Sequence, residues 1–131
     1  SNLRHERVMI GSDGIPDLAG KPHPRLFGTF PRVLGRYVRE QGVLGLESAV
    51  RRMTSLSCDV HGLQDRGRIV EGNWADLVLF DPNVVADVAT YEDPKRESAG
   101  IRNVWVNGQL AFQESLHTQI GAGKVLSYRK H

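Results

Sequence analysis

Asn107-Gly108 sits between two short apolar runs, Val104-Trp105-Val106 and Gln109-Leu110-Ala111-Phe112, and this feature constrains the fold more tightly than any other in the chain. A two-residue Asn-Gly link favours a type I′ turn, because both central residues take positive φ and the turn's twist matches a pair of antiparallel strands. The expected hairpin covers residues 101–113, with Trp105 facing Leu110 across the ladder. Val104 and Val106 then point to the other side.

Other β signals surround this hairpin. Gly67, Gly72 and Asn73 punctuate Ile69-Val70 and then Trp74 to Asp81. The run Leu77-Val78-Leu79-Phe80 reads as a strand covered on both faces and closed by Asp81-Pro82. A polar stretch follows through Glu92-Asp93-Pro94-Lys95-Arg96-Glu97, and Gly121 to Leu126 can add one more short strand.

The first half of the chain has a different character. Arg7-Val8-Met9-Ile10 is an apolar strand running into the turn Gly11-Ser12-Asp13-Gly14. An isolated strand cannot satisfy its backbone groups, and this one has no partner nearby in sequence. Pro16, Gly20, Pro22, Pro24 and Gly28 make residues 15–29 a loop, after which Thr29 is placed to cap a helix with Pro31 in its first turn. Phe30, Val33, Leu34, Tyr37 and Val38 form an apolar stripe at helical spacing, and Gly42 stops it. A second helix begins near Leu44, with Leu46, Ala49, Val50 and Met53 on one face and Arg51-Arg52 on a solvated one. A third runs from about Ser55 to His61, with Leu56 and Val60 inward and Gly62 at its end.

Composition removes several classes of function. The 131 residues are enough for one modest domain with a core. Seventeen basic residues are interspersed with fifteen acidic ones for a net charge of +2, so no single-sign face for nucleic acid is foreshadowed. No apolar run approaches bilayer length. Cys58 is the sole cysteine, which forbids an internal disulfide and fits a reducing, cytoplasmic setting. On its helix it reads as a small buried hydrophobe.

Asp13 is the first residue with chemistry in view. A carboxylate at the end of an apolar strand is where a β/α barrel carries its catalytic groups, able to bind a metal or accept a proton. The same Asp can equally make a turn hydrogen bond to its own backbone. His23 and Arg25 flank Pro24 in the following loop, where the histidine can meet a metal, a substrate carboxylate or solvent. His5, His61, His117 and His131 are scattered, with no metal-ligand spacing among them. Gly121-Ala122-Gly123 is too short for a phosphate cradle, and Ser12 lacks the glycine frame of a hydrolase nucleophile.

Met9 to Gly14, together with His23-Pro24-Arg25-Leu26-Phe27-Gly28-Thr29-Phe30-Pro31-Arg32-Val33-Leu34, resembles the end of the catalytic barrel of D-aminoacylases, the N-acyl-D-amino-acid deacylases of the amidohydrolase superfamily. Gly67-Arg68-Ile69, Gly72 to Asp81 and Val104 to Gly108 resemble the small β domain of that superfamily. The resemblance implies an α/β fold: the C-terminal piece of a (β/α)8 barrel, with residues 7–13 as its last strand and the final helices after it, plus the C-terminal part of a small β domain. The barrel share would be residues 1–65 and the β share residues 66–131.

The implied reaction is hydrolysis of an N-acyl-D-amino acid to a carboxylate and a D-amino acid. Asp13 would take a proton from a zinc-activated water and pass it to the departing amine, with zinc polarising the carbonyl. Asp13 would be at most a weak or secondary zinc ligand, since the family's main ligands, histidines and a cysteine, come from earlier strands. Arg25 suits a substrate carboxylate, and His23 lies beside it at the mouth of the site. The stretch Asp17 to Lys21 departs from the family pattern. By this reading the 131-residue chain alone is inactive, binds no tight zinc and can self-associate through uncovered apolar edges. Two alternatives stay open: another amidohydrolase, such as one opening a cyclic amide, and a non-catalytic β-rich scaffold.

Overall fold

A computed structural model describes residues 2–17 and 19–127; His131 lies outside them. A 3₁₀ turn at Asn2–Arg4 is followed by extended chain, then α1 (Arg25–Arg32), which continues as a π-helix over Val33–Glu40. Next come α2 (Leu46–Met53) and α3 (Ser55–Val60). Strands β1 (Leu77–Phe80), β2 (Ile101–Val106), β3 (Gln109–Gln113) and β4 (Leu116–His117) complete an α/β arrangement. The four strands form one open antiparallel sheet in sequence order.

The expected hairpin is present with its expected register. Trp105 pairs with Leu110 and Val106 with Gln109, and Asn107 and Gly108 both have positive φ, 51° and 80°. The turn is also tied from outside. Asp76 Oδ1 accepts the Asn107 N–H at 2.7 Å, and Ala75 C=O accepts that of Gly108 at 2.9 Å. The buried Arg66 guanidinium bonds to both Asp76 and Asn107, and Asn107 Nδ2 donates to Ala122 C=O.

The first helix begins earlier than its sequence predicts. It starts at Arg25, so Thr29 lies inside it rather than at its cap, and its hydroxyl donates to Arg25 C=O at 2.8 Å. Pro31 consequently sits in the last turn of α1. Proline has no N–H, so the carbonyl of Phe27, four residues earlier, loses its helical donor. The Ser98 hydroxyl supplies one at 3.0 Å. Immediately after the proline the helix loosens to π geometry. Gly42, at φ 57°, ends it by donating to Val38 C=O.

Val33, Leu34, Ala49 and Val85 are the centre of the core, with Tyr37, Val38, Leu46, Val50, Met53, Phe80 and Ile101 packed around them. Most of the predicted helical stripe is therefore inside, but Phe30 is exposed. Val85 was not foreseen, because it lies in a loop with no periodic signal. It is fully buried where Gly35 and Gly100 let backbone approach: a Cβ on either would lie 2.5 Å from a Val85 backbone atom. Arg39 Nη1 closes the same loop by donating to Val85 C=O at 2.7 Å.

Five further expectations are corrected. Residues 7–13 form no β ladder; Ile10 N–H instead donates to Arg52 C=O at the end of α2. Arg52 is buried, not solvated, and its Nη1 holds Leu3 C=O at 2.7 Å. Only Arg51 of that pair faces water. Strand β1 lies at a sheet edge, so Val78 and Leu79 are about half exposed instead of covered. Val60 is exposed at the end of the short α3, and residues 121–126 pair with no strand.

Candidate active site

The turn after Ile10 is shaped by its neighbours. Ser12 Oγ accepts the Gly14 N–H at 3.2 Å, and Ser12 C=O accepts the Thr29 hydroxyl at 3.4 Å. A Cβ on Gly14 would lie 3.0 Å from Leu26 Cδ1, a tight contact that the leucine side chain would have to shift to relieve. Between them Asp13 has φ 48°, a left-handed conformation uncommon outside glycine. Backbone held in that region by surrounding contacts is a pattern found at functional sites.

The Asp13 carboxylate is 78% exposed and among the described residues meets one cation: Arg25 Nη1 lies 3.0 Å from its Oδ2. At that exposure the pair contributes little to stability, and its weight is in orientation. The Arg25 Nε is buried and has no hydrogen-bond partner among the described residues. His23 Nδ1 accepts the Arg25 backbone N–H at 3.0 Å, and His23 Nε2 lies 3.0 Å from the hydroxyl of Tyr91. The two rings meet edge to face at 5.1 Å.

The structure thus brings Asp13, Arg25 and His23 into one chain of contacts and adds Tyr91. No signal in the sequence pointed to Tyr91, which is 68 residues from His23 in a polar stretch. The remaining candidates lie elsewhere. His61 contacts Ser57 C=O, His117 pairs with Glu97 at 2.8 Å, and His5 Nδ1 accepts the Arg7 N–H. Cys58 packs beside Gly67 on α3, where burial, with the Asp59 carboxylate adding to it, pushes its thiol above the ordinary range.

A cavity of about 470 Å³ is lined by Asp65, Arg66, Trp74 and Lys124, among others, and involves none of the Asp13 cluster. Among the described residues, no group of three or more His, Cys, Asp or Glu side chains converges as a metal site. Asp13 is turned to an arginine, not to a second metal donor. These residues do not by themselves fit a zinc ion, which takes three or four protein ligands.

Residues 3–112 match the profile of the Amidohydrolase family. The chain belongs to that family. Within it, the chain is 53% identical over 120 residues to a D-aminoacylase of Alcaligenes xylosoxydans xylosoxydans, a match covering 92% of this chain and 25% of the relative. It is 54% identical over 113 residues to an N-acyl-D-glutamate deacylase of the same organism, covering 86% and 23%. A crystal structure of N-acyl-D-glutamate deacylase from Bordetella bronchiseptica, complexed with zinc and a phosphonate inhibitor, superposes with a TM-score of 0.80 at 51% identity. That superposition covers 87% of this chain and 24% of the solved one. This amidohydrolase chain therefore spans about a quarter of the length of these relatives. No helix among its described residues is long and apolar enough to cross a membrane.

Proposed function

We propose that this chain is the C-terminal part of an N-acyl-D-amino-acid deacylase, an enzyme that hydrolyses the amide of N-acyl-D-amino acids. The observation that carries the reading is the Ser12-Asp13-Gly14 turn, which presents an exposed carboxylate with Arg25 against it. Support comes from the likeness to deacylases acting on N-acylated D-amino acids. Residues 7–13 would be the last strand of a β/α barrel whose partner strands lie outside this chain, which accounts for an extended segment without a ladder. Residues 1–65 would form the end of the barrel and 66–131 the C-terminal share of the β domain.

In this reading Asp13 is the proton carrier. It accepts the proton released as water adds to the amide carbon, and it returns that proton to the nitrogen as the C–N bond breaks. Both transfers need the carboxylate within about 3 Å of the water and the leaving nitrogen. Arg25 orients Asp13 and offers its remaining donors to the substrate's carboxylate, a pairing its planar fork suits. Zinc, present in the Bordetella structure, would be held in the longer protein by residues outside this chain. The isolated chain would then be inactive, and Ile69, Val78, Leu79 and Leu116, all exposed, would favour its self-association.

The test is a steady-state assay of the full-length, zinc-loaded protein against N-acetyl-D- and N-acetyl-L-amino acids. D-selective release of the amino acid is expected. Absence of D-selective turnover in the loaded protein would overturn the reading.

A further inference from the structure

We propose that Tyr91 is a positioning residue for Arg25, acting through His23; this rests on the reading of Arg25 as the ligand of the substrate's carboxylate. The Arg25 N–H can only donate, so the His23 Nδ1 that receives it at 3.0 Å is the unprotonated nitrogen of the ring. The proton is then on Nε2, which donates to the Tyr91 hydroxyl at 3.0 Å. The Arg25 N–H thus fixes the tautomer, and the tyrosine fixes the tilt of the imidazole, reinforced by the edge-to-face contact of the two rings. What the imidazole fixes in turn is the backbone of the first residue of α1, whose N–H has no partner within the helix. Arg25 projects from that point to Asp13.

Tyr91 is well placed for this because its own segment is anchored on the same helix. Asp87 accepts from Arg32 Nη1 at 2.7 Å, and Gly28 lets the Asp87 Cβ approach to 3.0 Å of where its own Cβ would stand. On the far side Ser98 holds Phe27 C=O. The loop between these anchors reaches past the N-terminus of α1 and sets Tyr91 against His23. The fold of residues 85–98 is thereby linked to the placement of a guanidinium at the candidate site.

Four variants of the full-length, metal-loaded protein test this. Tyr91→Phe keeps the ring and removes the hydroxyl. His23→Asn keeps an acceptor for the Arg25 N–H, as Asn does for a backbone N–H two residues on, and gives up Tyr91. His23→Ala removes both, and Tyr91→Phe is also combined with His23→Asn. Loss of an aligned charge-assisted contact corresponds to about tenfold. Tyr91→Phe and His23→Ala are therefore expected to raise KM for an N-acetyl-D-amino acid about tenfold while kcat stays within about twofold. His23→Asn restores KM to within about threefold, and Tyr91→Phe has no further effect in that background.

Hydrogen exchange at the Arg25 amide supplies a readout that needs no substrate. It should quicken in Tyr91→Phe and His23→Ala and stay slow in His23→Asn. Unchanged exchange in Tyr91→Phe, or an equal KM penalty from that substitution in both backgrounds, would overturn the relay. If the protein had no deacylase activity, the enzyme reading would fall while exchange still tested the relay.

Discussion

Arg25 Nη1 lies 3.0 Å from Asp13 Oδ2, and this contact joins the first residue of a helix to the tip of a turn twelve residues earlier. Both ends are held by backbone. Asp13 is locked at positive φ between Ser12 and Gly14, while Arg25 is fixed by its N–H on His23. The pair needs no burial to be well defined, because the two side chains leave fixed points. An exposed carboxylate of this kind is accessible to a reacting molecule, which a buried salt bridge is not.

That accessibility gives the first prediction. Asp13→Asn in the full-length protein should lower kcat by about 10²-fold to 10⁴-fold, the range for loss of a proton carrier. Zinc content should stay at the unsubstituted level, since the reading assigns the main ligands elsewhere. Turnover and elemental zinc measured on one preparation check both halves. Activity within a few-fold of the parent would remove Asp13 from the mechanism.

The 131-residue chain on its own should show no deacylase turnover and no stoichiometric zinc after dialysis. A lasting catalytic zinc needs about three protein ligands and an open position, and the described residues bring no such group together. Elemental analysis beside an activity assay decides this. Near one zinc per chain with measurable turnover would mean that the chain builds its own site.

The parts of the fold legible in the sequence are those dictated by local chemistry. Asn107-Gly108 determines its turn because two adjacent positive φ values leave few other choices, and Leu46, Ala49, Val50 and Met53 repeat at helical spacing. Asp13, His23 and Arg25 were visible as residue types in a loop, whereas their mutual contacts depend on where α1 begins. The helix starts five residues before the position Thr29 would give it: Thr29 is a good cap by type, while the actual start at Arg25 is held by His23. Val85, Arg52 and Tyr91 were not legible at all. Each owes its place to a partner 40 or more residues away: Arg39 for Val85, Leu3 for Arg52 and His23 for Tyr91.

Cys58 yields a pH prediction. Burial is the main cause of its raised thiol pKa; Asp59 adds to it, while Arg68 and Arg66 pull the other way. Alkylation by iodoacetamide near pH 8.5, close to the ordinary thiol pKa, should therefore be slower in the folded protein than in the urea-unfolded chain. The folded pKa lies above the unfolded one, so the thiol's contribution to stability is complete below the unfolded value. It is lost as pH rises from there through the folded value. Folded and unfolded rates that coincide at every pH would show that the thiol is not shielded.

Ser98 offers a test of how the helix tolerates its proline. Pro31 cannot donate to Phe27 C=O, and the Ser98 hydroxyl does so at 3.0 Å, from a loop 71 residues later in the chain. Ser98→Ala leaves that part-buried carbonyl without its donor and should cost about 1–2 kcal/mol. Pro31→Ala returns a backbone N–H at the position where a regular helix would supply the bond, making the serine redundant. In the Pro31→Ala background the cost of Ser98→Ala should fall by about 1 kcal/mol, a coupling measurable in a double-mutant cycle. Urea unfolding of the full-length protein, followed by a probe in this region, gives the four values. Strict additivity would mean that the hydroxyl and the missing N–H do not serve the same carbonyl.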